Sequence, residues 1–238
     1  MEISEWELRR MAADIDGQHR EAMDTFVEDN QALIFETGPS RRRFLTGLGL
    51  GSAALVVGSA VVPMRKLVPA AWSQTAPGDG DIATFAASVE YAAVAAYKAA
   101  AESGKVKTKA ILDAATMFAG HHQQHGDAFK AAGTNPGVAA NKAVLDMVTP
   151  QLTAAKTEND VVALAYGLEN AAAATYIFAL GVLTTDKAYN AVASVMPVEA
   201  QHAVALGFVL GKTLDDKAFM PSFETKDGAL DPAKFPAA

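Results

Sequence analysis

From residue 81 to residue 211 the apolar positions recur every three to four residues, the period of an amphipathic helix. The stripe predicts helices over roughly 81–103, 107–131, 157–182 and 185–211, with a shorter one near 138–155 between the second and third. Ser103-Gly104, Gly133-Thr134-Asn135-Pro136 and Thr184-Thr185-Asp186 supply the breaks and caps. No stretch alternates apolar and polar residues for long, so strand content is expected near zero. The pattern gives an all-α fold: an antiparallel four-helix bundle with a crossover between helices 2 and 3.

Upstream the pattern changes. Residues 44–64 form an uncharged run rich in Gly, Ala, Leu and Val, entered by Arg41-Arg42-Arg43-Phe44-Leu45 and closed by Arg65-Lys66. A twin-arginine pair before a modestly hydrophobic run reads as a Tat export signal. Its 21 residues would span ~31 Å as a helix, about one hydrocarbon core, so an uncleaved signal is also a membrane anchor. The basic side would stay cytoplasmic and the C-terminal part would leave the cytoplasm. Residues 1–39 hold ten acidic residues against three Arg, with Trp6, Met11, Ile15, Phe26 and Leu33 as scattered apolar positions. A helix is compatible with this stretch, but a solvated, presequence-like extension is the preferred reading. Four regions are therefore expected: an acidic extension 1–39, a signal or anchor with linker 40–76, the bundle 77–213, and a tail 214–238 packed on it.

The chemistry lies on the apolar stripes. Glu90 shares its face with Ala83, Ala86, Ala93, Val94 and Tyr97; Glu169 shares its face with Val162, Ala165, Ala172, Ala173 and Tyr176. His122-x-x-His125 falls between Phe118 and Phe129, and Glu199-x-x-His202 follows Val192, Val195 and Met196. The pattern is a repeat: a Glu, a Tyr seven residues on, and an i,i+3 pair about thirty residues later, twice. Residues at i and i+3 lie one helical turn apart on one face. Two such halves packed together bring three carboxylates and three imidazoles into one core, where unpaired charge costs several kcal/mol. Divalent cations would compensate it, and the mixed oxygen and nitrogen set suits Fe or Mn, with Zn also able to bind. The alternative for each piece is a hydrogen-bonded core, with Tyr97 and Tyr176 as partners of the carboxylates or as packing residues. Metal site candidates are Glu90, His122, His125, Glu169, Glu199 and His202, with His121 as a substitute for His122.

Composition removes other classes. From Pro77 onward there are 12 Lys, 17 acidic residues and no Arg, which argues against a nucleic-acid partner. The chain has no Cys, hence no disulfide framework, zinc-thiolate site or thiol nucleophile.

Residues 81–211 resemble the ferritin-like superfamily, and most its Tat-exported bacterial members related to desiccation-associated proteins. The superfamily pattern is Glu, Glu-x-x-His, Glu, Glu-x-x-His on four antiparallel helices. The resemblance implies ligand positions for Glu90, His125, Glu169, Glu199 and His202, and His122 stands where a bridging Glu is expected. It implies an exported metal-binding protein with a dinuclear Fe or Mn site, and redox chemistry on Fe(II) or peroxide. The rival is a non-catalytic, stress-related structural or binding protein on the same scaffold. Expected partners are the Tat translocase through Arg41 and Arg42 and the membrane through 44–64; a homo-oligomer is left open. Pro197, two residues before Glu199, is expected to kink or bulge its helix.

Overall fold

The computed structural model describes residues 3–32, the strand residues 54–57 and 60–63, residues 77–212 and residues 229–237. Its helices are α1 (Glu5–Ala32), α2 (Asp79–Glu102), α3 (Lys109–Ala132), α4 (Lys142–Ala154), α5 (Glu158–Leu180) and α6 (Asp186–Val209). Two strands, β1 (Ala54–Val57) and β2 (Ala60–Pro63), pair antiparallel with Leu55 opposite Val62.

The bundle is two helical hairpins, α2–α3 and α5–α6, joined by the crossover that contains α4. Local chemistry sets the helix starts. The Thr157 hydroxyl accepts a hydrogen bond from the Asp160 amide while the Asp160 carboxylate accepts one from the Thr157 amide, a reciprocal cap on α5. Thr185 caps α6 and Asn141 caps α4. Gly104, at φ 68°, sits just past α2, where a left-handed turn favours glycine.

The two hairpins clamp each other reciprocally. Asp79, at the start of α2, accepts hydrogen bonds from the backbone N–H groups of Thr184 and Thr185 at the α5–α6 turn (2.9 and 2.8 Å). Glu158, at the start of α5, accepts them from Lys107 and Thr108 at the α2–α3 turn (2.5 and 2.8 Å). Each carboxylate satisfies amides that the next helix start would otherwise leave unpaired.

Two further helices enclose the bundle. α4 lies over α2 and α5, and α1 lies over α3 and α6. α1 is therefore a packed helix and not a solvated tail. Leu8, Ala12, Ile15, His19 and Phe26 are buried along one face, whereas Trp6 is 66% exposed. That face supplies the reason: positions 8, 12, 15, 19 and 26 follow the helical period once His19 is counted among the inward residues. Arg9 pairs with Asp113 on α3, Gln18 with Gln201 on α6, and Phe26 meets Phe129 edge-on at 5.7 Å.

The β1–β2 hairpin occupies part of the run read as a signal or anchor helix. Val56, Val57, Val61 and Val62 are β-branched and favour strand. The twin-arginine residues Arg41 and Arg42 lie outside the described residues. Pro197 does not interrupt α6, which runs unbroken from Asp186 to Val209.

The apolar core separates into two clusters. One gathers Phe85, Phe129, Phe178 and Val192; the other gathers Ile15, Phe118, Val161 and Leu206. On α3, α5 and α6 the buried ionisable residues lie between these clusters. At the other end of the chain, Leu230 is buried and its amide donates to Thr175 Oγ1 at 2.8 Å.

Candidate metal centre

Glu90 on α2, His122 and His125 on α3, Glu169 on α5, and Glu199 and His202 on α6 are all buried and converge in the middle of the bundle. Close approach of α2 and α3 depends on Gly126, where an added Cβ would meet the Tyr91 ring at 2.8 Å and Glu90 Cβ at 3.3 Å.

The six residues form two overlapping sets. Glu90, His122, His125 and Glu199 offer one ligand atom each, all within 4.8 Å of one another; so do His122, Glu169, Glu199 and His202. Glu199 and His122 belong to both. The two oxygens of Glu199 face different histidines: Oε1 lies 2.8 Å from His125 Nδ1, and Oε2 lies 3.5 Å from His202 Nδ1. His122 likewise turns Nδ1 to Glu90 Oε2 at 2.7 Å and Nε2 to Glu169 Oε1 at 3.1 Å. Each half thus has its own Glu and His, with one carboxylate and one imidazole between them.

The tyrosines cross the two-fold relation. Tyr97 on α2 donates its hydroxyl to Glu169 on α5, and Tyr176 on α5 donates to Glu90 on α2. They hydrogen-bond the carboxylates rather than merely packing, which fixes carboxylate orientation. Phe118 stacks on His202 with centroids 4.0 Å apart and closes one side of the site.

Electrostatics shows a centre in need of positive charge. Burial disfavours the charged form of Glu90, yet His122 by charge and hydrogen bond, with His125, outweighs it and holds the carboxyl at about 2. Burial is likewise overcome at Glu169, which His122 and His202 hold well below the ordinary carboxylate range. Burial opposes the His122 cation, but Glu199, Glu169 and Glu90 raise its pKa well above the ordinary value. His125 rises to about 9 against burial through Glu199 and Glu90, and His202 rises through Glu169 and Glu199. Burial, then the neighbouring carboxylates, pushes the hydroxyls of Tyr97 and Tyr176 well above their usual pKa. Without metal, protonated imidazoles offset the carboxylates.

That compensation is incomplete. Although Glu199 Oε1 and His125 Nδ1 are 2.8 Å apart, neither oxygen of Glu199 and neither nitrogen of His125 has a hydrogen bond of acceptable direction. Buried polar atoms left without partners are rare. These atoms converge with the correct donor types for a divalent cation, so the residues present fit one.

His121 is the second outcome. It is buried but faces away from the shared position: Nδ1 lies 3.0 Å from His202 Nε2, and Nε2 lies 3.2 Å from Asp16 Oδ1. Asp16 and His19, both on α1, are the residues that sequence reasoning passed over; His19 stacks on His121 with centroids 3.9 Å apart. The signal was present as the only histidine outside the bundle, in register with Leu8, Ala12 and Ile15. An apolar cavity of about 50 Å³, walled mainly by alanines, valines and leucines such as Ala93, Ala96, Val148 and Leu168, reaches His122 and Glu169 from the side covered by α4.

No curated protein and no solved structure matches the chain. The family model described as a ferritin-like domain matches residues 78–212, which is α2 to α6 and more than half of the 238 residues. With its two hairpins, its crossover and its buried Glu/His centre, the chain belongs to the ferritin-like domain family.

Proposed function

We propose that the protein binds two Fe or Mn ions in the bundle core: Glu90 and His125 would hold one, Glu169 and His202 the other, and Glu199, which belongs to both sets, would serve both. The observation that carries this reading is Glu199, whose two oxygens face two different histidines and have no hydrogen bond of their own. Zn would also satisfy the donor set. Fe or Mn held there would supply redox chemistry suited to oxidation of Fe(II) or reduction of peroxide, whereas Zn, which does not change oxidation state, would not. The chain's part is to hold the ligands. Tyr97 and Tyr176 orient Glu169 and Glu90, Phe118 and Phe129 flank the histidines of α3, and the apolar cavity gives small molecules a dry approach to His122 and Glu169.

His122 makes this centre unlike an all-carboxylate bridge. Both of its nitrogens are already directed at carboxylates, and that contact supports a second reading in which the polar centre is a hydrogen-bonded structural core with one metal or none. Export by the Tat route, through Arg41 and Arg42, remains part of the first reading. A chain that folds before export takes its metal from the cytoplasm, away from the tighter-binding Cu and Zn of the envelope.

Metal content by mass spectrometry, on the full chain and on Glu199→Ala/His202→Ala, decides between the two. About two Fe or Mn per chain, lost in the variant, supports the first reading. A folded protein without bound metal supports the structural core.

A further inference from the structure

We infer that α1 is part of the metal centre: Asp16, acting through His121, fixes the ring orientation and tautomer of His202 so that its Nδ1 is presented to the metal. The inference rests on the dinuclear reading and deepens it.

The chain of contacts is continuous. His202 Nδ1 faces the carboxylates, 3.4 Å from Glu169 Oε2 and 3.5 Å from Glu199 Oε2. Its other nitrogen, Nε2, lies 3.0 Å from His121 Nδ1, and His121 Nε2 lies 3.2 Å from Asp16 Oδ1. Asp16 is the one member of this chain that reaches solvent, and Arg20, one turn on, holds its second oxygen at 3.1 Å.

A metal on His202 determines every proton along this path. Ligation through Nδ1 takes that lone pair, so the ring proton must sit on Nε2 and be donated to His121 Nδ1. His121 then carries its own proton on Nε2 and donates it to Asp16, which as a carboxylate can only accept. Ligating histidines commonly donate their second N–H to an acceptor that sets tautomer and ring angle. Here the acceptor is a second imidazole, and the carboxylate that anchors the relay comes from a helix outside the family-matched region. His19 keeps the relay in place by packing flat on His121, 14° from parallel. Asp16 is therefore a positioning residue, not a ligand.

Asp16, His19 and His121 also lie close enough to suggest a cation site of their own. The ring stack argues against it. A metal lies near the plane of each imidazole that binds it, and two nearly parallel rings 3.9 Å apart have no such point in common.

The test uses the full chain loaded with Zn, its variants Asp16→Ala and Asp16→Asn, and ¹⁵N-histidine NMR, which five histidines keep tractable. The expected spectrum shows His202 bound through Nδ1 with its proton on Nε2, and His121 with its proton on Nε2. Competition with a chelator should show one of two sites weakened about 10- to 100-fold in Asp16→Ala, with part of the affinity restored in Asp16→Asn, which keeps an acceptor oxygen. His121 protonated on Nδ1, or unchanged affinity in a folded Asp16→Ala, overturns the relay while leaving the dinuclear centre intact. A third ion lost on His19→Ala overturns it too, since His121 Nε2 would then be a ligand and not a donor. Absence of any metal in the parent chain overturns the dinuclear reading and the relay with it.

Discussion

Glu90 and Glu169 each depend on a donor from the opposite hairpin. Tyr97 serves Glu169 and Tyr176 serves Glu90. Replacing either tyrosine by Phe leaves a buried acceptor short of a donor, a loss of about 1–3 kcal/mol, and the two-fold relation predicts similar losses for both in urea denaturation. The imidazoles make stability depend on pH in the chelator-treated protein. His125 is raised to about 9, so its contribution is complete below the unfolded imidazole value near 6.5 and is lost as pH rises through about 9. Glu90 acts in the opposite sense: its contribution is present above its ordinary 4.5 and is lost as pH falls through about 2. The melting temperature of metal-free protein should therefore decline on the alkaline side between about 6.5 and 9. A flat profile over that window would contradict the pairing of His125 with Glu90 and Glu199. At this scale the sequence was highly legible: the repeated Glu, Tyr and i,i+3 pattern placed all six candidate ligands in one layer. It could not choose between His121 and His122, because adjacent residues on a helix differ by about 100° and both are buried.

Among the elements, the four bundle helices lie within a few residues of their expected ends, because capping residues and breaks mark them. α1 read as a solvated extension rather than a packed helix for a physical reason. Its inward face is made of Ala12, His19 and only a few large apolar side chains, and its acidic outer face dominates the composition. The β1–β2 pair was equally hidden, since a short Val-rich run satisfies strand and apolar helix alike. The α2–α3 contact carries a specific prediction. Gly126→Ala puts a methyl group against the Tyr91 ring and Glu90 Cβ, so the helices must separate beside the site. A loss of about 1–3 kcal/mol is expected, read as a lower melting temperature together with weaker metal binding. An unchanged melting temperature would show that Tyr91 swings away freely. Phe118, fully buried against Tyr97 and His202, should cost about 3–5 kcal/mol as Phe118→Ala.

For the molecule as a whole, α1 and the bundle must lie on the same side of any membrane while they are packed together. A single crossing by residues 44–64, as the proposed export would require, would put them on opposite sides and undock α1. The absence of native Cys makes this directly measurable: Gln18→Cys/Gln201→Cys, at a pair already in contact, should cross-link under oxidant in cytoplasmic molecules and not in exported ones. Cross-linking in both pools would mean that 44–64 does not cross. The central claim remains the pair of ions, and anomalous diffraction from metal-loaded crystals, recorded at the Fe and Mn edges, tests it most directly. Two peaks are predicted, one near Glu90 and His125 and one near Glu169 and His202, with Glu199 between them. A single peak, no peak, or one lodged among Asp16, His19 and His121 would contradict the account.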